Sequence, residues 1–226
     1  MSLSLLILRP LDGALQTERR AKDLGLATVV DPLFVVESMQ WSGPEATDFD
    51  ALLLTSANAV KYGGTQLAAY RYLPVLAVGE KTAEAAKKAG FHVEITGQSD
   101  VEHLLDQLAD SSYRNIIWLA GEQHMEVSAK DRKIYIAPVY RARAMALGER
   151  AKACLANESV ILLHSARAAS QLAEELSRLQ LPKDRHHVVA FSAKVAEAVG
   201  QGWKSVQTAD HPDDEALLSL ASALCR

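Results

Sequence analysis

The sequence predicts an α/β protein made of two similar lobes, each built around a parallel sheet. Short apolar runs alternate with segments of helical periodicity along the chain, which is typical of strands joined by crossover helices. The two halves of the chain also resemble each other at a nearly constant offset, which indicates one unit used twice. With 226 residues, of which 49% are hydrophobic, the chain is long enough to bury the core of one or two domains.

Six short runs of apolar residues are the predicted strands. Each run is almost free of polar residues, as expected for strands of a parallel sheet that is covered on both faces. The runs are residues 3–8, 51–55, 75–78, 116–119, 160–164 and 188–191.

Helices are predicted between these runs. In segment 99–108 the apolar residues recur at i, i+3, i+4 and i+7, which places them on one face of a helix. Ser99 and Glu102 form a capping-box pattern, so we expect this helix to be capped by Ser99. Gly90 follows segment 81–89 and is suited to the left-handed conformation that ends many helices.

The internal repeat has three parts. Ser56 matches Ser165 at an offset of 109 residues, and two later pairs of segments match at 113, which is half the chain length. The matched segments are 51–60 with 160–169, 75–85 with 188–198, and 102–105 with 215–218. The repeat predicts two lobes of similar construction.

Segments 31–37 and 136–142 occupy equivalent places in the two halves and are β-prone. Each contains a proline, Pro32 or Pro138, whose missing N–H would break the hydrogen-bond ladder of a central strand. We therefore interpret these segments as connectors between the lobes and not as core strands.

Composition and charge argue against several classes of protein. The formal net charge of −4 disfavours broad nucleic-acid binding, which depends on Lys and Arg that neutralise phosphates. No apolar run approaches the ~18–20 residues of a membrane span, and run 5–8 is too short for a signal peptide. Cys154 and Cys225 lack the spacing of a zinc or disulfide framework. We expect a cytoplasmic protein without a metal site.

Three strand-to-helix turns contain small polar residues that are suited to ligand binding. Open α/β sheets bind ligands at the carboxyl ends of their strands, where helix N-termini favour carboxylates or phosphates. An alternative is that the hydroxyl groups only cap the helices. The candidate binding residues are Thr55, Ser56 and Asn58 in the first turn, Gly79, Lys81 and Thr82 in the second, and Ser165 and Arg167 in the third.

Three other motifs lack the pattern that their usual function requires. Segment 79–82 lacks the glycine spacing of a phosphate loop, and segment 200–202 lacks the flanking strand and helix of a dinucleotide fingerprint. Ser165 beside His164 is sequence adjacency and not the geometry of a catalytic triad. Tyr140 lies in the second connector, where it either faces a cleft or supports a hinge.

Several motifs together resemble the uroporphyrinogen-III synthase family. They occur in the family's order along nearly the whole chain, at residues 6–10, 24–25, 32–34, 54–60, 77–83, 138–140 and 209–218. The resemblance implies two flavodoxin-like lobes that are joined by a two-stranded β ladder, with a cleft between them. It places residues 1–33 and 143–226 in one discontinuous lobe and 38–135 in the other, and assigns connectors 31–37 and 136–142 to the ladder.

The resemblance also implies a reaction in haem biosynthesis. Enzymes of this family cyclise hydroxymethylbilane with loss of water and inversion of the last pyrrole ring, without a metal or organic cofactor. Because this substrate closes spontaneously to the type I isomer, the catalytic task is largely to hold it in the right geometry. The family's tyrosine, which is expected to assist departure of the hydroxyl group, corresponds to Tyr140.

The substrate carries many carboxylates, whereas the chain is weakly acidic, so local groups must hold it. The expected cations are Arg9, Lys81, Arg167 and Lys194. Val195 replaces a usual hydroxyl residue, for which Ser192 and Lys194 can compensate, and Ala120 stands where the family often has arginine. We expect a monomer that makes transient contact with the preceding pathway enzyme. The alternative hypotheses are a non-catalytic two-lobed small-molecule receptor and, less favoured, a nucleotide-binding enzyme.

Overall fold

A computed structural model describes residues 3–109 and 111–225 of the chain, so the two ends of the discontinuous lobe predicted above, residues 1–2 and 226, lie outside the described residues. The fold is mixed α/β with two parallel-dominated sheets, as the sequence predicts. The strands are β1 (Ser4–Ile7), β2 (Thr28–Val30), β3 (Phe34–Ser38), β4 (Ala51–Leu54), β5 (Val75–Val78), β6 (Val93–Gly97), β7 (Asn115–Gly121), β8 (Lys133–Ala144), β9 (Ser159–Leu163), β10 (His187–Ala190) and β11 (Ser205–Thr208). The α-helices are α1 (Leu11–Asp23), α2 (Ala57–Tyr62), α3 (Glu80–Lys88), α4 (Val101–Gln107), α5 (Glu149–Leu155), α6 (Ala166–Arg178), α7 (Ala193–Val199) and α8 (Asp214–Cys225). Among the helices of the described residues, none is long and apolar enough to cross a membrane.

The described residues form two compact units. Unit 1 contains the residues up to Val35 and those from Arg143 onward, and unit 2 contains Val36–Ala142. The chain therefore passes from one unit to the other within β3 and again within β8.

Unit 1 contains a five-stranded parallel sheet in the order β11-β10-β9-β1-β2. Numbered along the chain within the unit, this is the flavodoxin-like order 2-1-3-4-5. Leu5 and Ile7 of β1 and Leu162 of β9 are fully buried in one core cluster, which also contains apolar residues of α1 and α8. Burial of the central strands explains why they are almost free of polar residues.

Unit 2 contains a six-stranded sheet in the order β3-β8-β7-β4-β5-β6. The order β8-β7-β4-β5-β6 corresponds, strand by strand, to the order β2-β1-β9-β10-β11 of unit 1. The two sheets differ in which of these strands comes first along the chain. Side chains of β4 alternate between two buried faces, since Leu52 and Leu54 belong to one core cluster and Ala51 and Leu53 to another. Both faces of this sheet are therefore covered by apolar residues.

The two β-prone segments lie beside each other as β3 and β8, as the ladder requires, but the expectation that segment 136–142 is not a core strand is wrong. This segment belongs to β8, which pairs in parallel with β7 and has β3 on its other side. Pro138 is tolerated there because it pairs with Ala120, directly before a shift in register between Ala120 and Gly121. An irregularity of this kind is where a strand can accommodate the missing N–H of proline. Only the end of segment 31–37 is a strand, β3, at the edge of the sheet.

The cap predicted for α4 is displaced by one residue. Asp100, and not Ser99, is the N-cap, and its Oδ1 accepts a hydrogen bond of 2.8 Å from the backbone N–H of His103. Asp213 does the same 113 residues later, since its Oδ1 accepts a bond of 2.8 Å from the N–H of Ala216. A carboxylate that caps the free N–H groups is a common start of a helix. The two halves therefore share this cap at the offset of the sequence repeat.

Each unit takes strands from both halves of the repeat. Unit 1 combines β1 and β2 with β9, β10 and β11, whereas unit 2 combines β4, β5 and β6 with β7 and β8. Because the paired strands within each unit are parallel, their carboxyl ends meet at one edge of each sheet. Candidate functional residues lie at these two edges.

Candidate functional site

A cavity of about 250 Å³ opens at the carboxyl edge of the sheet of unit 2. It lies among the ends of β4, β5, β7 and β8, the first turn of α4 and the loop after β7. The lining is mostly apolar with a few polar groups, as in many small-molecule sites. The lining residues that matter below are Thr55, Val101, Trp118, Gly121, His124 and Tyr140.

Thr55 and Trp118 form a side-chain pair in this cavity. Trp118 is only 2% exposed, and its indole Nε1 donates a hydrogen bond of 3.2 Å to Oγ1 of Thr55. An indole N–H can only donate, so the threonine oxygen is the acceptor in this bond. The hydroxyl proton of Thr55 is left to be donated elsewhere.

Tyr140 is half-buried and lines the same cavity. Its ring approaches Gly121 so closely that a Cβ added at Gly121 would lie 3.0–3.1 Å from three atoms of the phenol. The phenol oxygen makes no hydrogen bond within the part of the chain that the structure describes, whereas the backbone carbonyl accepts one of 2.8 Å from the N–H of Glu122. The site thus holds an aromatic hydroxyl that is not hydrogen-bonded to any of the described residues.

His124 is held in one tautomer at the rim of the cavity. Its Nδ1 lies 2.9 Å from the carbonyl oxygen of Gly121, and because a carbonyl can only accept, Nδ1 carries the proton. Its ring also contacts the edge of Trp118, with 5.4 Å between the ring centroids. Asp100 and Glu102 line the cavity as well, so its rim is acidic.

The other predicted residues of unit 2 lie near this edge but outside the cavity lining. Oγ of Ser56 accepts a hydrogen bond of 3.2 Å from the N–H of Asn58 and caps α2. Gly79 begins α3 with a φ of +82°, a conformation that favours glycine. In α3, Thr82 is 5% exposed and Lys81 is exposed.

Four predicted residues of unit 1, Ser165, Arg167, Ser192 and Lys194, lie near the carboxyl ends of β9 and β10. Ser165 caps α6, since its Oγ accepts a hydrogen bond of 3.2 Å from the N–H of Ala168, and Ser192 is the N-cap residue of α7 without such a bond. The guanidinium of Arg167 lies over the ring of Phe34 at 4.3 Å from its centroid, and Lys194 is exposed.

Arg9 follows β1 and belongs to a partly buried ionic network around Asp214. Its Nη1 donates to Oδ1 of Asp214 at 2.8 Å, and Nε2 of His164 lies 3.0 Å from the same oxygen. Oδ2 of Asp214 accepts from the hydroxyl of Thr17 at 2.8 Å and from Arg20 at 3.2 Å. The carboxylate of Asp214 is therefore surrounded by four donors.

These contacts fix the charges of the network. Burial alone would raise the pKa of Asp214, but hydrogen bonds from His164 and Thr17 and the charge of Arg9 hold that pKa well below its usual range. Burial lowers the pKa of His164, although its bond to Asp214 opposes this. His164 is therefore neutral at pH 7 and donates through Nε2, while its buried Nδ1 has no partner among the described residues.

Thr55 and Tyr140 are thus the two predicted site residues that the structure brings into one cavity. Trp118, His124, Asp214 and Thr17 are not among the residues that the sequence predicts for the site. No local pattern identifies these residues, because Trp118 is 63 residues from its partner, and Asp214 is 205 residues from Arg9. Within the described residues, no group of three or more His, Cys, Asp or Glu is arranged to hold a metal ion.

Comparisons with known proteins agree with the sequence resemblance. The family model described as uroporphyrinogen-III synthase HemD matches residues 16–219. The fold is similar to the crystal structure of the Helicobacter pylori uroporphyrinogen-III synthetase, with a TM-score of 0.68 and 19% identity over 99% of this chain and 100% of that one. It is also similar to a mutant uroporphyrinogen III synthase from Thermus thermophilus, with a TM-score of 0.57 and 16% identity over 99% of both chains. No curated protein matches the chain significantly.

Proposed function

Because the chain belongs to the uroporphyrinogen-III synthase family, lyases that cyclise hydroxymethylbilane in tetrapyrrole and haem biosynthesis, we propose that the cavity of unit 2 is part of the active site. The observation that carries this proposal is the pair of hydroxyl groups in one cavity. The phenol of Tyr140 has no hydrogen bond among the described residues, and the hydroxyl proton of Thr55 is not used by Trp118. Both groups are available to a substrate.

Tyr140 is the proposed general acid. The substrate loses its hydroxyl group as water, so that oxygen must take up a proton as its bond to carbon breaks. The phenol of Tyr140 supplies this proton, and ring closure releases a proton from the attacked pyrrole carbon that restores the phenol. Positioned general acids of this kind contribute about 10²–10⁴-fold to a rate.

The remaining predicted residues are proposed to bind the carboxylates of the substrate. In unit 2 these are Thr55, Ser56, Asn58, Gly79, Lys81 and Thr82, and in unit 1 they are Arg9, Ser165, Arg167, Ser192 and Lys194. Arg9 shares Nη1 with Asp214 and Thr17, which leaves its Nε and Nη2 groups without a hydrogen bond among the described residues. Since the net charge is −4, such local donors must hold a polyanionic substrate.

We also propose that the protein acts as a monomer in the cytoplasm and makes transient contact with the enzyme that supplies hydroxymethylbilane. The chemistry of the substrate supports such a contact, because free hydroxymethylbilane closes spontaneously to the wrong isomer. A short transfer between two enzymes would reduce this loss.

The activity is tested by supplying hydroxymethylbilane and separating the uroporphyrin isomers after oxidation. The expected product is the type III isomer. Formation of the type I isomer alone, at the spontaneous rate, would overturn the assignment of catalysis. A ligand-dependent rise in melting temperature without turnover would instead identify a non-catalytic binding protein.

The role of Tyr140 is tested with Tyr140→Phe, which keeps the ring over Gly121 and removes the hydroxyl group. We expect kcat for type III formation to fall by about 10²-fold or more, with the melting temperature nearly unchanged. Tyr62→Phe is the matched control, because the ring of Tyr62 lies 6.5 Å from that of Tyr140 but does not line the cavity. Unchanged type III formation in Tyr140→Phe would show that Tyr140 has only a structural role.

A further inference from the structure

The pair formed by Trp118 and Thr55 is built into the sheet of unit 2. Leu53 of β4 pairs with Trp118 of the neighbouring strand β7, so Thr55, two residues after Leu53, lies on the same face as the indole. Trp118 belongs to the core cluster of that face and is almost completely buried. The indole is therefore a fixed support, whereas Thr55 is half-buried and borders the cavity.

Because Trp118 is the donor in this hydrogen bond, the Thr55 hydroxyl keeps its own proton for another acceptor. A threonine hydroxyl has one proton and two lone pairs, and the indole N–H occupies one lone pair. Among the described residues no acceptor takes the proton of Thr55, so that proton remains for a group in the cavity. A hydroxyl that accepts one hydrogen bond also becomes a stronger donor in the next one.

The group that matches this donor is an acceptor, and a carboxylate is the strongest acceptor of the substrate class proposed above. The pyrrole N–H groups of the substrate are donors and do not match. Asp100 and Glu102 at the rim repel carboxylates, which makes a fixed donor inside the cavity more important for binding them. The cavity of about 250 Å³ is also smaller than the roughly 300–1,000 Å³ of sites for drug-sized ligands, so it suits one substituted ring and not four.

We propose that Trp118 is a positioning residue that holds the Thr55 hydroxyl as a hydrogen-bond donor to a side-arm carboxylate of one pyrrole ring. This inference rests on the proposed function and deepens it, because it states which part of the substrate enters the cavity. Trp118 acts only through Thr55, and its substitution has no further effect once the hydroxyl of Thr55 is gone.

The test is a double-mutant cycle with Trp118→Phe and Thr55→Val, in which KM and kcat for type III formation are measured separately. Thr55→Val is expected to raise KM by about 10-fold or more, since a hydrogen bond to a charged group is lost. Trp118→Phe is expected to raise KM by about 3- to 10-fold with little change in kcat, because ground state and transition state lose the same contact. In the Thr55→Val background, Trp118→Phe is expected to leave KM unchanged.

Two controls separate this role from general packing. Trp41→Phe in the same unit removes an indole N–H that donates to the carbonyl of Gly63 at 2.8 Å, away from the cavity, and is expected to leave KM unchanged. Thr55→Ser keeps the hydroxyl group and is expected to keep the sensitivity of KM to Trp118→Phe. Melting temperatures of all variants are measured alongside.

The results that overturn the inference are specific. Equal rises in KM from Trp118→Phe with Thr55 and with Val at position 55 would show that Trp118 does not act through Thr55. A fall in kcat at constant KM would place the reacting hydroxyl group, and not a carboxylate, at Thr55. If the unaltered chain makes no type III isomer, the proposed function fails. The affinity for uroporphyrinogen III, measured by calorimetry, then replaces KM in the same double-mutant cycle. Equal affinities of the unaltered chain and of Trp118→Phe would overturn the inference.

Discussion

The carboxyl edges of the two sheets have the same topology, but a cavity lies at the edge in unit 2 and a network of ion pairs at the edge in unit 1. Thr55 and His164 are equivalent in the sequence repeat, since each comes directly before the serine that caps the following helix. In unit 2, Thr55 accepts a hydrogen bond from Trp118 and borders an open cavity. In unit 1, His164 donates to Asp214 within a network of ion pairs.

Two further positions show how the side chains at the two edges differ. Val101 and Asp214 each follow the aspartate that caps a helix, 113 residues apart, and Val101 lines the cavity of unit 2. In the paired strands, Leu53 pairs with Trp118 as its equivalent Leu162 pairs with Ile7, so Ala120 corresponds to Arg9. Where unit 1 has a carboxylate and a guanidinium, unit 2 has a valine and an alanine. Unit 2 therefore has apolar side chains at the two positions that form an ion pair in unit 1, and one of them, Val101, lines the cavity.

The largest expected effect comes from giving unit 1 the residue of unit 2, with Asp214→Val. The side chain of Asp214 is 8% exposed, and its removal leaves Arg9, Thr17 and His164 without their common acceptor. Removal of one partner of a buried ion pair costs about 3–5 kcal/mol of unfolding free energy. Urea unfolding at pH 7 measures this loss. Asp213→Ala is the control, because it removes only the helix cap and costs about 1 kcal/mol. Equal losses in the two variants would contradict the importance of the network.

The reverse substitution, Val101→Asp, places a carboxylate in the cavity of unit 2 beside Asp100 and Glu102. We expect KM to rise by about 10-fold or more, because the added charge repels the carboxylates of the substrate. Steady-state kinetics of type III formation measure this change. Val101→Asn introduces a side chain of nearly the same shape as aspartate but without its charge, so this variant should raise KM much less than Val101→Asp. A similar KM for Asp and Asn would mean that no carboxylate of the substrate comes near Val101.

A smaller effect is expected from pH. Burial lowers the pKa of His164 in the folded state, so below the unfolded value of about 6.5 the unfolded chain binds a proton that the folded chain does not. Stability therefore falls as pH falls from about 7 towards 5, by at most about 1.4 kcal/mol per pH unit for this group. Below about pH 4, protonation of the unfolded form of Asp214, whose folded pKa is held low, adds to the same trend.

Urea unfolding at pH 7.5, 6.5 and 5.5 checks this prediction. His164→Gln should reduce the slope of stability against pH, while part of the slope remains because burial also lowers the pKa of His186. His103→Gln, at an exposed position in the other unit, serves as the control. An unchanged slope in His164→Gln would contradict a buried neutral His164.

The fold could be predicted where strands are central and not where they are edges. The six predicted strands are β1, β4, β5, β7, β9 and β10, and every one of them lies between two neighbours. The strands that were not predicted, β2, β6 and β11, are edges, where only part of each strand is buried and the sequence is mixed, as in the alternating exposure of Ser205–Thr208. The fourth edge, β3, was expected only as a β-prone connector. β8 is central, but its segment 136–142 was predicted only as a β-prone connector, because Pro138 normally excludes a central strand and the register shift cannot be seen in the sequence.

The site was predictable only as far as local patterns extend. Thr55 and Tyr140 could be found because each lies in a short motif next to a strand. Trp118, Asp214 and Thr17 could not, because their roles depend on partners that only the tertiary fold brings within hydrogen-bond distance. The repeat offered one further signal, since Val101 and Asp214 differ at equivalent positions in otherwise similar segments.

The exchange of strands between the two halves has a consequence for the order in which the chain folds during synthesis. β1 pairs with β9, so Ser4 can reach its partner Ser159 only after the ribosome has added 155 more residues. The strands of unit 2 leave the ribosome in one continuous stretch, so this unit can complete its sheet while β1, which can already pair with β2, still lacks β9 on its other side. We therefore expect the cavity-bearing unit to complete its sheet before β1 has both of its neighbouring strands.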